Sequence, residues 1–328
     1  MVDETARVPS RKPWLGGRKV LRPPPSYAGF EGIDSGKRRF LVVGDTQRAG
    51  LLEFWRERNE EGRRLLLDEI VRRDPAFVLH LGDLTARGGS RREWERFDAL
   101  HERFRANGVP YFPVLGNHEF HGGKAGGLRS FFARFPHLEE RRWYSFVWRN
   151  VGLILLDSNF GRMSGAESEA LSSWYFTQLE RLDREPSIDF VIVCSHRPPY
   201  TRSHIVSPCA RSRERFVEPF LRSRKACFFF SGHAHAYERF QLGGKHFIVS
   251  GGGGGPRHRI LQRSGPERLE RAVAGPSLTL LHACEIEHGA EGLEFRVVKL
   301  EGRAFAEADP LGVPRSERVS GIPDPLVN

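Results

Sequence analysis

Short apolar runs alternate with amphipathic segments along much of the chain. Five apolar runs open the segments 40–47, 77–88, 111–119, 190–200 and 227–239. Runs of this length predict buried β-strands. The segments 59–73, 90–106, 169–184 and 211–224 carry apolar residues at helical spacing. The pattern therefore predicts strands that alternate with helices in the first part of the chain.

Other parts of the chain predict hairpins. Residues 144–148 and 151–156 are two apolar stretches around Arg149 and Asn150. Residues 278–286 and 293–298 give two more strands around a turn that contains glycine. This order favours an α/β fold in which two β-sheets pack together with helices outside.

Each of the five apolar runs is followed by side chains that can bind a metal ion. They are Asp45, Asp83, Asn117, His118, His196, His233 and His235. Ligand sites in open α/β sheets lie beyond the carboxyl ends of the strands, so we expect these side chains to converge on one edge. One such Asp could be a helix N-cap and one such His a core residue. Five strand ends in series that carry such side chains predict a site for Mn, Zn or Fe, because carboxylate, amide and imidazole ligands suit these ions.

The same motifs carry a family resemblance. The order GD, GD, GNHE, H and GHxH resembles the calcineurin-like metallophosphoesterases over residues 40–255, roughly two-thirds of the chain. HRPPY and GHAHAYER are similar to the purple acid phosphatase branch. The resemblance implies an αββα sandwich of two mixed β-sheets flanked by helices. It also implies a hydrolase with a dinuclear metal centre.

The resemblance implies a role for each residue of the site. Asp83 would bridge the two cations, and His118 would act as general acid or electrostatic stabiliser. Asp45 and His235, with Gln47 as a candidate, would hold one cation, and Asn117, His196 and His233 the other. A hydroxide activated by the metals would attack phosphorus in line.

Two arginines are candidates for binding the phosphoryl oxygens, where negative charge develops. Arg87 follows Asp83 by four residues, an offset that resembles GDxxDRG of the serine/threonine phosphatases. Arg197 follows His196 directly. The alternative for both is an ordinary surface or structural arginine.

Two positions depart from the family pattern. Ala86 stands where the purple acid phosphatase branch has a tyrosine ligand, which argues against a stable ferric ion. Gln47 stands where the superfamily usually has histidine, in a D-x-Q motif similar to the Mn-dependent pyrophosphatases of ADP-ribose and CDP-alcohols. We therefore expect two divalent ions, with Mn favoured and Zn or Fe as alternatives.

The composition predicts domain boundaries and a cellular location. Residues 1–40 hold nine Lys or Arg and four Asp or Glu, which is half of the net charge of +10. We expect a basic arm rich in Pro and Gly at 1–36, a catalytic domain at 37–305 and a tail at 306–328. The sequence contains no apolar stretch typical of a signal peptide or membrane span. Four scattered cysteines favour free thiols in a reducing compartment, and so a cytoplasmic location.

Several functions stay open at this point. The first is hydrolysis of small-molecule phosphate mono- or diesters by a dinuclear metal centre. The alternatives are an Mn-dependent diphosphatase of nucleotide conjugates and a non-catalytic metal-binding scaffold, since Gln47 replaces the usual histidine. A nuclease is a further option, because the basic arm could contact nucleic acid. Substrate and oligomeric state are not predicted.

Overall fold

Two six-stranded β-sheets pack face to face. The computed structural model describes residues 23–49, 57, 59–261 and 273–315. The first sheet has the strand order β12-β11-β10-β1-β2-β3 and the second β4-β5-β6-β7-β9-β8. The strands are β1 (Arg39–Val43), β2 (Val78–His80), β3 (Tyr111–Pro113), β4 (Tyr144–Trp148), β5 (Val151–Leu156), β6 (Phe190–Ser195), β7 (Ala226–Ser231), β8 (Tyr237–Leu242), β9 (Lys245–Ser250), β10 (His282–His288), β11 (Gly292–Glu301) and β12 (Ala304–Pro314).

Both sheets are mixed, which confirms the predicted fold class. In the first sheet β1, β2 and β3 are parallel, and β10 joins β1 in antiparallel fashion. In the second sheet β5, β6, β7 and β9 are parallel, and the edge strands β4 and β8 are antiparallel to their neighbours. The helices are α1 (Glu60–Arg72), α2 (Arg91–Leu100), α3 (Glu102–Ala106), α4 (Lys124–Arg134), α5 (Gly165–Arg184), α6 (Ala210–Ser212) and α7 (Glu218–Arg222).

Aromatic side chains fill the space between the sheets. Phe40 of β1 and Phe77, which directly precedes β2, stack with ring centroids 4.8 Å apart, and Trp148 of the second sheet meets Phe40 edge-on at 5.5 Å. A second contact joins Phe228 to Phe295 across the interface at 5.6 Å. Aromatic pairs of this geometry add to the stabilisation that burial provides. This packing fixes the two sheets against each other, and with them the loops that leave their strands.

The sequence-based boundaries differ from the structure in several places. The segment 90–106 contains two helices, because the backbone at His101 leaves helical geometry. Lys124–Arg134 and Tyr237–Leu242 were not predicted as a helix and a strand. Nor was β12, which continues the sheet past the boundary expected between residues 305 and 306.

The described part of the predicted arm contacts the core. Tyr27 is only 3% exposed, and its hydroxyl accepts a hydrogen bond from Arg105 at 2.7 Å. The backbone N–H of Tyr27 also donates to Arg134. Residues 1–22 of the arm and 316–328 of the tail lie outside the described residues. The domain boundaries therefore stay predictions.

Two further expectations concern the thiols and the membrane. All four cysteines are free, and Cys194, Cys227 and Cys284 are buried while Cys209 is half-buried. Across the described ranges, the helices are too short or too polar to traverse a lipid bilayer.

Candidate metal centre

The predicted metal-binding side chains lie on the loops that leave the carboxyl ends of the parallel strands. Asp45 follows β1, Asp83 follows β2 and Asn117 follows β3 in the first sheet. His196 follows β6 and His233 follows β7 in the second sheet. The two sheets thus contribute to one site, as expected for this class of fold.

Three of these residues have left-handed backbone conformations. The φ angles are 60° at Asp45, 56° at Asp83 and 68° at His233. Such conformations are uncommon for residues other than glycine and cluster at functional sites. The glycine before His233 is also constrained, because a Cβ atom at Gly232 would lie 2.4 Å from Oδ2 of Asp45.

Four donor atoms converge around His196, which is fully buried. Nδ1 of His196 donates to the carbonyl oxygen of Leu81 at 2.8 Å, so Nε2 presents its lone pair. Within reach of Nε2 lie Oδ1 of Asn117 at 3.0 Å, Nδ1 of His233 at 3.1 Å and Oδ2 of Asp83 at 3.4 Å. We call Asn117, His196 and His233 the histidine-rich half of the site.

This arrangement fits a divalent cation. Burial lowers the pKa of His196 well below its usual value, so the ring is neutral and its Nε2 lone pair faces two oxygen acceptors. Acceptors that face one another repel unless a positive charge lies between them. Donor atoms about 2.1 Å from one ion, and at right angles, are about 3 Å apart. The distances around Nε2 match that spacing.

Asp45, Gln47 and His235 form the second group, which we call the glutamine half. Nδ1 of His235 donates to the carbonyl oxygen of Pro256 at 2.7 Å, and Nε2 lies 3.5 Å from Oδ1 of Asp45. Burial lowers the pKa of His235, but the hydrogen bond and charge of Asp45 outweigh burial, and the net shift is upward. A positive charge is therefore favoured here too.

In one of its two orientations, the side-chain amide of Gln47 matches each of its neighbours with a hydrogen-bond donor or acceptor. Its nitrogen then donates to the carbonyl oxygens of Asp83 at 2.9 Å and Asp45 at 3.0 Å. Its oxygen faces Nε2 of His235 at 3.2 Å. The backbone thus holds the amide oxygen of Gln47 towards the same point as the imidazole of His235, where it could serve as a metal ligand.

The loop that carries Asp83 is held by a buried carboxylate. Glu119 accepts backbone N–H bonds from Asp83 at 2.9 Å, Leu84 at 2.9 Å and Gly116 at 2.8 Å. These bonds position Asp83 and leave Glu119 occupied by the backbone. Burial and, after it, the charge of Asp83 raise the pKa of Glu119 to about 8.

The two aspartates of the site repel each other. Burial, followed by the charge of Asp45, raises the pKa of Asp83 well above its usual value. A bound cation would favour the ionised form of both carboxylates. In the histidine-rich half, burial and then the charge of Arg197 lower the pKa of His233 to about 3, so this ring is neutral.

His258 and Ser203 support the glutamine half, and the sequence did not identify them. The ring of His258 stacks on His235 with centroids 4.3 Å apart, and its Nδ1 accepts the backbone N–H of His235 at 3.1 Å. Oγ of Ser203 lies 3.0 Å from the same Nδ1. Neither residue belongs to a recognisable motif, so the fold alone could reveal them.

His118 lies at the open side of the site. Its Nδ1 donates to the carbonyl oxygen of Ala86 at 2.8 Å, and its backbone N–H donates to Oδ1 of Asp83 at 2.8 Å. Nε2 is 3.8 Å from Oδ2 of Asp83, and the side chain is 30% exposed. The ring is thus fixed, with Nε2 available for proton exchange with a bound molecule.

The two candidate arginines differ in position. Nη1 of Arg197 lies 3.2 Å from Nε2 of His233, which places Arg197 against the histidine-rich half. Arg87 is exposed and lies beside the backbone of Gly122. Its side chain has no recorded hydrogen bond or ion pair to the described residues, so the structure brings Arg197, and not Arg87, into contact with the predicted ligands.

The residues after the last motif have structural partners. The Tyr237 hydroxyl donates to Asp309 of β12, and Arg239 donates to both oxygens of Asp309 at 2.7 Å. Glu238 accepts from the hydroxyl of Thr201 at 2.6 Å. The Tyr237 hydroxyl is therefore hydrogen-bonded to the edge strand β12.

The chain is similar to a known protein family and to curated proteins. Residues 38–237, more than half of the chain, match the family model of the calcineurin-like phosphoesterases. Purple acid phosphatase 22 of Arabidopsis thaliana is 28% identical over 211 residues, which cover 62% of this chain and 45% of that protein. The chain thus matches less than half the length of this curated relative.

Two solved structures share the fold. GAP50, described as the anchor in the inner membrane complex of Plasmodium, has a TM-score of 0.63 at 16% identity over 86% of this chain and 90% of that chain. Purple acid phosphatase PPD1 from yellow lupin seeds has a TM-score of 0.63 at 19% identity over 84% of this chain and 53% of that chain. At these identities, the similarity establishes the fold alone.

Proposed function

Because this chain belongs to the calcineurin-like phosphoesterase family, we propose that it is a metal-dependent hydrolase of phosphate mono- or diesters with two divalent cations. The observation that carries this proposal is the convergence of acceptor atoms on His196. Its Nε2 lone pair faces oxygens of Asn117 at 3.0 Å and Asp83 at 3.4 Å. Such a buried cluster is stable when a cation lies within it.

The two halves of the site would each hold one cation. The histidine-rich half supplies Asn117, His196 and His233, and the glutamine half supplies Asp45, Gln47 and His235, with Asp83 shared. When bound, the two cations would lower the pKa of a water molecule and supply a hydroxide for attack on phosphorus. Manganese is the ion we favour, with zinc or iron as alternatives.

The remaining roles fall to groups at the open side of the site. Arg197 adjoins His233 and would bind a phosphoryl oxygen, where negative charge grows in the transition state. Nε2 of His118 would hold or transfer the proton that the leaving group needs. Arg87 remains a second candidate for phosphate binding, since its exposed side chain is free to reach a bound ester.

Ala86 leads to a spectroscopic expectation. The purple acid phosphatase tyrosine is absent at this position, and Tyr237 donates its hydroxyl to Asp309. We therefore expect no intense visible charge-transfer band from the purified protein. A strong band would show that another tyrosine binds ferric iron.

The fold alone does not decide between catalysis and a scaffold, since GAP50 shares the fold and is described as an anchor. The donor set favours catalysis. Six of the seven predicted metal-binding positions keep the residue of the family pattern, and Gln47 directs an amide oxygen to His235. The diphosphatase alternative rests on the same Gln47. The cytoplasmic location rests on the free thiols and stays a prediction.

Metal analysis and a substrate panel test this proposal. Protein loaded with Mn²⁺ or Zn²⁺ should bind two ions per chain and hydrolyse p-nitrophenyl phosphate, bis(p-nitrophenyl) phosphate or ADP-ribose. The variant His196→Gln should lose an ion and most of the turnover. His204→Gln is the matched control, because His204 is exposed and outside the donor cluster. Metal-loaded protein that hydrolyses no ester or diphosphate would support the scaffold.

A further inference from the structure

A cavity of about 490 Å³ opens beside the histidine-rich half. Two of the residues that line it also belong to the site: Asn117, whose Oδ1 faces His196, and Arg197, which contacts His233. The cavity therefore continues from the metal centre. Its volume lies within the range of small-molecule sites and exceeds what a single phosphate group fills.

Three arginines line this cavity: Arg162, Arg197 and Arg211. None of the described residues that line it is a carboxylate. Arg162 and Arg211 are exposed, and the structure records no hydrogen bond or ion pair from their side chains to the described residues. Nearby Arg215, in contrast, pairs with Glu169 at 2.8 Å. Unneutralised arginines around a concave surface attract anions.

The wall between the cavity and the metal centre is well supported. The backbone N–H of Arg197 donates to Oγ of Ser158 at 2.7 Å. The amide of Asn159 donates to the carbonyl oxygen of Leu115 at 2.9 Å and to Asp157 at 2.8 Å. Asp157 itself is buried and pairs with Arg142 at 2.7 Å. These contacts hold one side of the cavity in place without using the side chains of its three arginines.

We propose that this cavity binds a second phosphate group of the substrate, through Arg162 and Arg211. The substrate class is then an organic phosphate that carries two phosphoryl groups, one at the metal centre and one in the cavity. Guanidinium groups bind phosphate through paired, charge-assisted hydrogen bonds. This inference rests on the proposed phosphoesterase function and specifies its substrate.

Matched substrates test the proposal. Fructose 1,6-bisphosphate and fructose 6-phosphate differ by one phosphate, as do ADP and AMP. In each pair, kcat/KM should be higher for the doubly phosphorylated compound by about tenfold or more. The double variant Arg162→Gln/Arg211→Gln should reduce this ratio to about one, mainly through KM. The control Arg213→Gln removes a charge from the same helical segment but not from the cavity, and should retain the ratio.

Cys209 gives a measurement that does not depend on turnover. Cys209 lines the cavity and is half-buried, whereas the other three cysteines are buried. Iodoacetamide should therefore modify Cys209 first. Fructose 1,6-bisphosphate should slow this reaction more than fructose 6-phosphate does, and the double variant should abolish the difference. The variant Cys209→Ser identifies the modified residue.

The two proposals can fail separately. Turnover of single phosphates without preference for doubly phosphorylated compounds, and without selective protection of Cys209, would refute the cavity proposal and leave the phosphoesterase intact. An equal preference in wild type and in the double variant would refute it as well. If no phosphate is hydrolysed, the proposed function fails, and selective protection of Cys209 still shows that the cavity binds a second phosphate.

Discussion

The two halves of the metal centre differ in how closely their donor atoms are assembled. In the histidine-rich half, Nε2 of His196 has donor atoms at 3.0, 3.1 and 3.4 Å. In the glutamine half, Nε2 of His235 lies 3.2 Å from the amide of Gln47 and 3.5 Å from Asp45. Among the described residues, Asp83, His196 and His233 form the group of acidic and imidazole ligands compact enough to hold an ion.

The difference follows from what holds each side chain. His196 emerges directly from β6 and donates to Leu81, next to β2, so both sheets fix it. Asp45 instead receives the backbone N–H of His233 on both oxygens, at 3.0 and 2.9 Å. Part of its capacity as a ligand is thus already used. We expect the histidine-rich half to bind its ion more tightly than the glutamine half.

The largest effect should come from Asp83, the residue that we propose the two halves share. The variant Asp83→Asn keeps the size of the side chain but removes the negative charge that would hold both cations. We expect kcat/KM to fall by at least about 10⁴-fold, roughly 5.5 kcal/mol of transition-state stabilisation, with loss of both ions. The measurements are metal content and kinetics of the purified variant.

Asp74→Asn is the matched control for this change. Asp74 also has a positive φ, of 50°, but its side chain is exposed and pairs with Lys37. Full metal occupancy in Asp83→Asn would show that Asp83 is not the shared ligand.

The next effect concerns His118, which contacts Asp83 between the halves. His118→Ala should keep both ions and lower turnover by about 10²–10⁴-fold, the range for one proton-transfer group. The loss should be larger for alkyl esters than for p-nitrophenyl phosphate, whose leaving group scarcely needs a proton. An equal loss for both leaving groups would assign His118 a positioning role.

A chelator titration compares the two halves directly. The ion of the glutamine half should leave first, in a separate step. Gln47→His should shift this first step to higher chelator concentration by about tenfold, or about 1.4 kcal/mol, because imidazole is the stronger ligand. Gln47→Ala should shift it in the opposite direction.

The later step serves as the internal control for that titration. It should remain unchanged in both Gln47 variants, since the histidine-rich half does not contain Gln47. A single step for both ions would contradict the difference between the halves.

The smallest effect on turnover should come from the predicted arm. Deletion of residues 1–36 removes buried Tyr27, so we expect a loss of about 1.5–3 kcal/mol in the free energy of unfolding. Deletion of residues 1–22 keeps Tyr27 and serves as the control. Thermal unfolding and turnover per folded molecule are the measurements. If the longer deletion retains its ions but loses turnover, the arm contributes to the site.

Sequence alone identified the residues that lie directly after strands. The positions of Asp45, Asp83, Asn117, His196 and His233 were predictable because apolar runs mark the strand ends and motifs mark the candidate ligands. The edge strand Ala304–Pro314 was not, because Glu307 and Asp309 interrupt the alternation of its apolar residues, which are only partly buried. Lys124–Arg134 contains two consecutive glycines, which lower helix propensity.

The supporting residues escaped prediction for a different reason. Ser203 and His258 are 55 residues apart and meet through the fold. Arg162 and Arg211 are also distant in sequence, and both line the cavity beside the histidine-rich half. The net charge of each segment cannot show that two arginine side chains line one concave surface.

The left-handed backbone at Asp45, Asp83 and His233 has a consequence for protein engineering. Each of these residues occupies a conformation that glycine adopts without steric strain and that other residues adopt at a cost of roughly 1–3 kcal/mol. Glycine there would also remove a buried carboxyl group or imidazole ring from the interior. A library selected for heat resistance alone would therefore accumulate glycine at the metal centre. Thermostabilisation of this protein should hold these three positions fixed and take its gains from the surface and the termini.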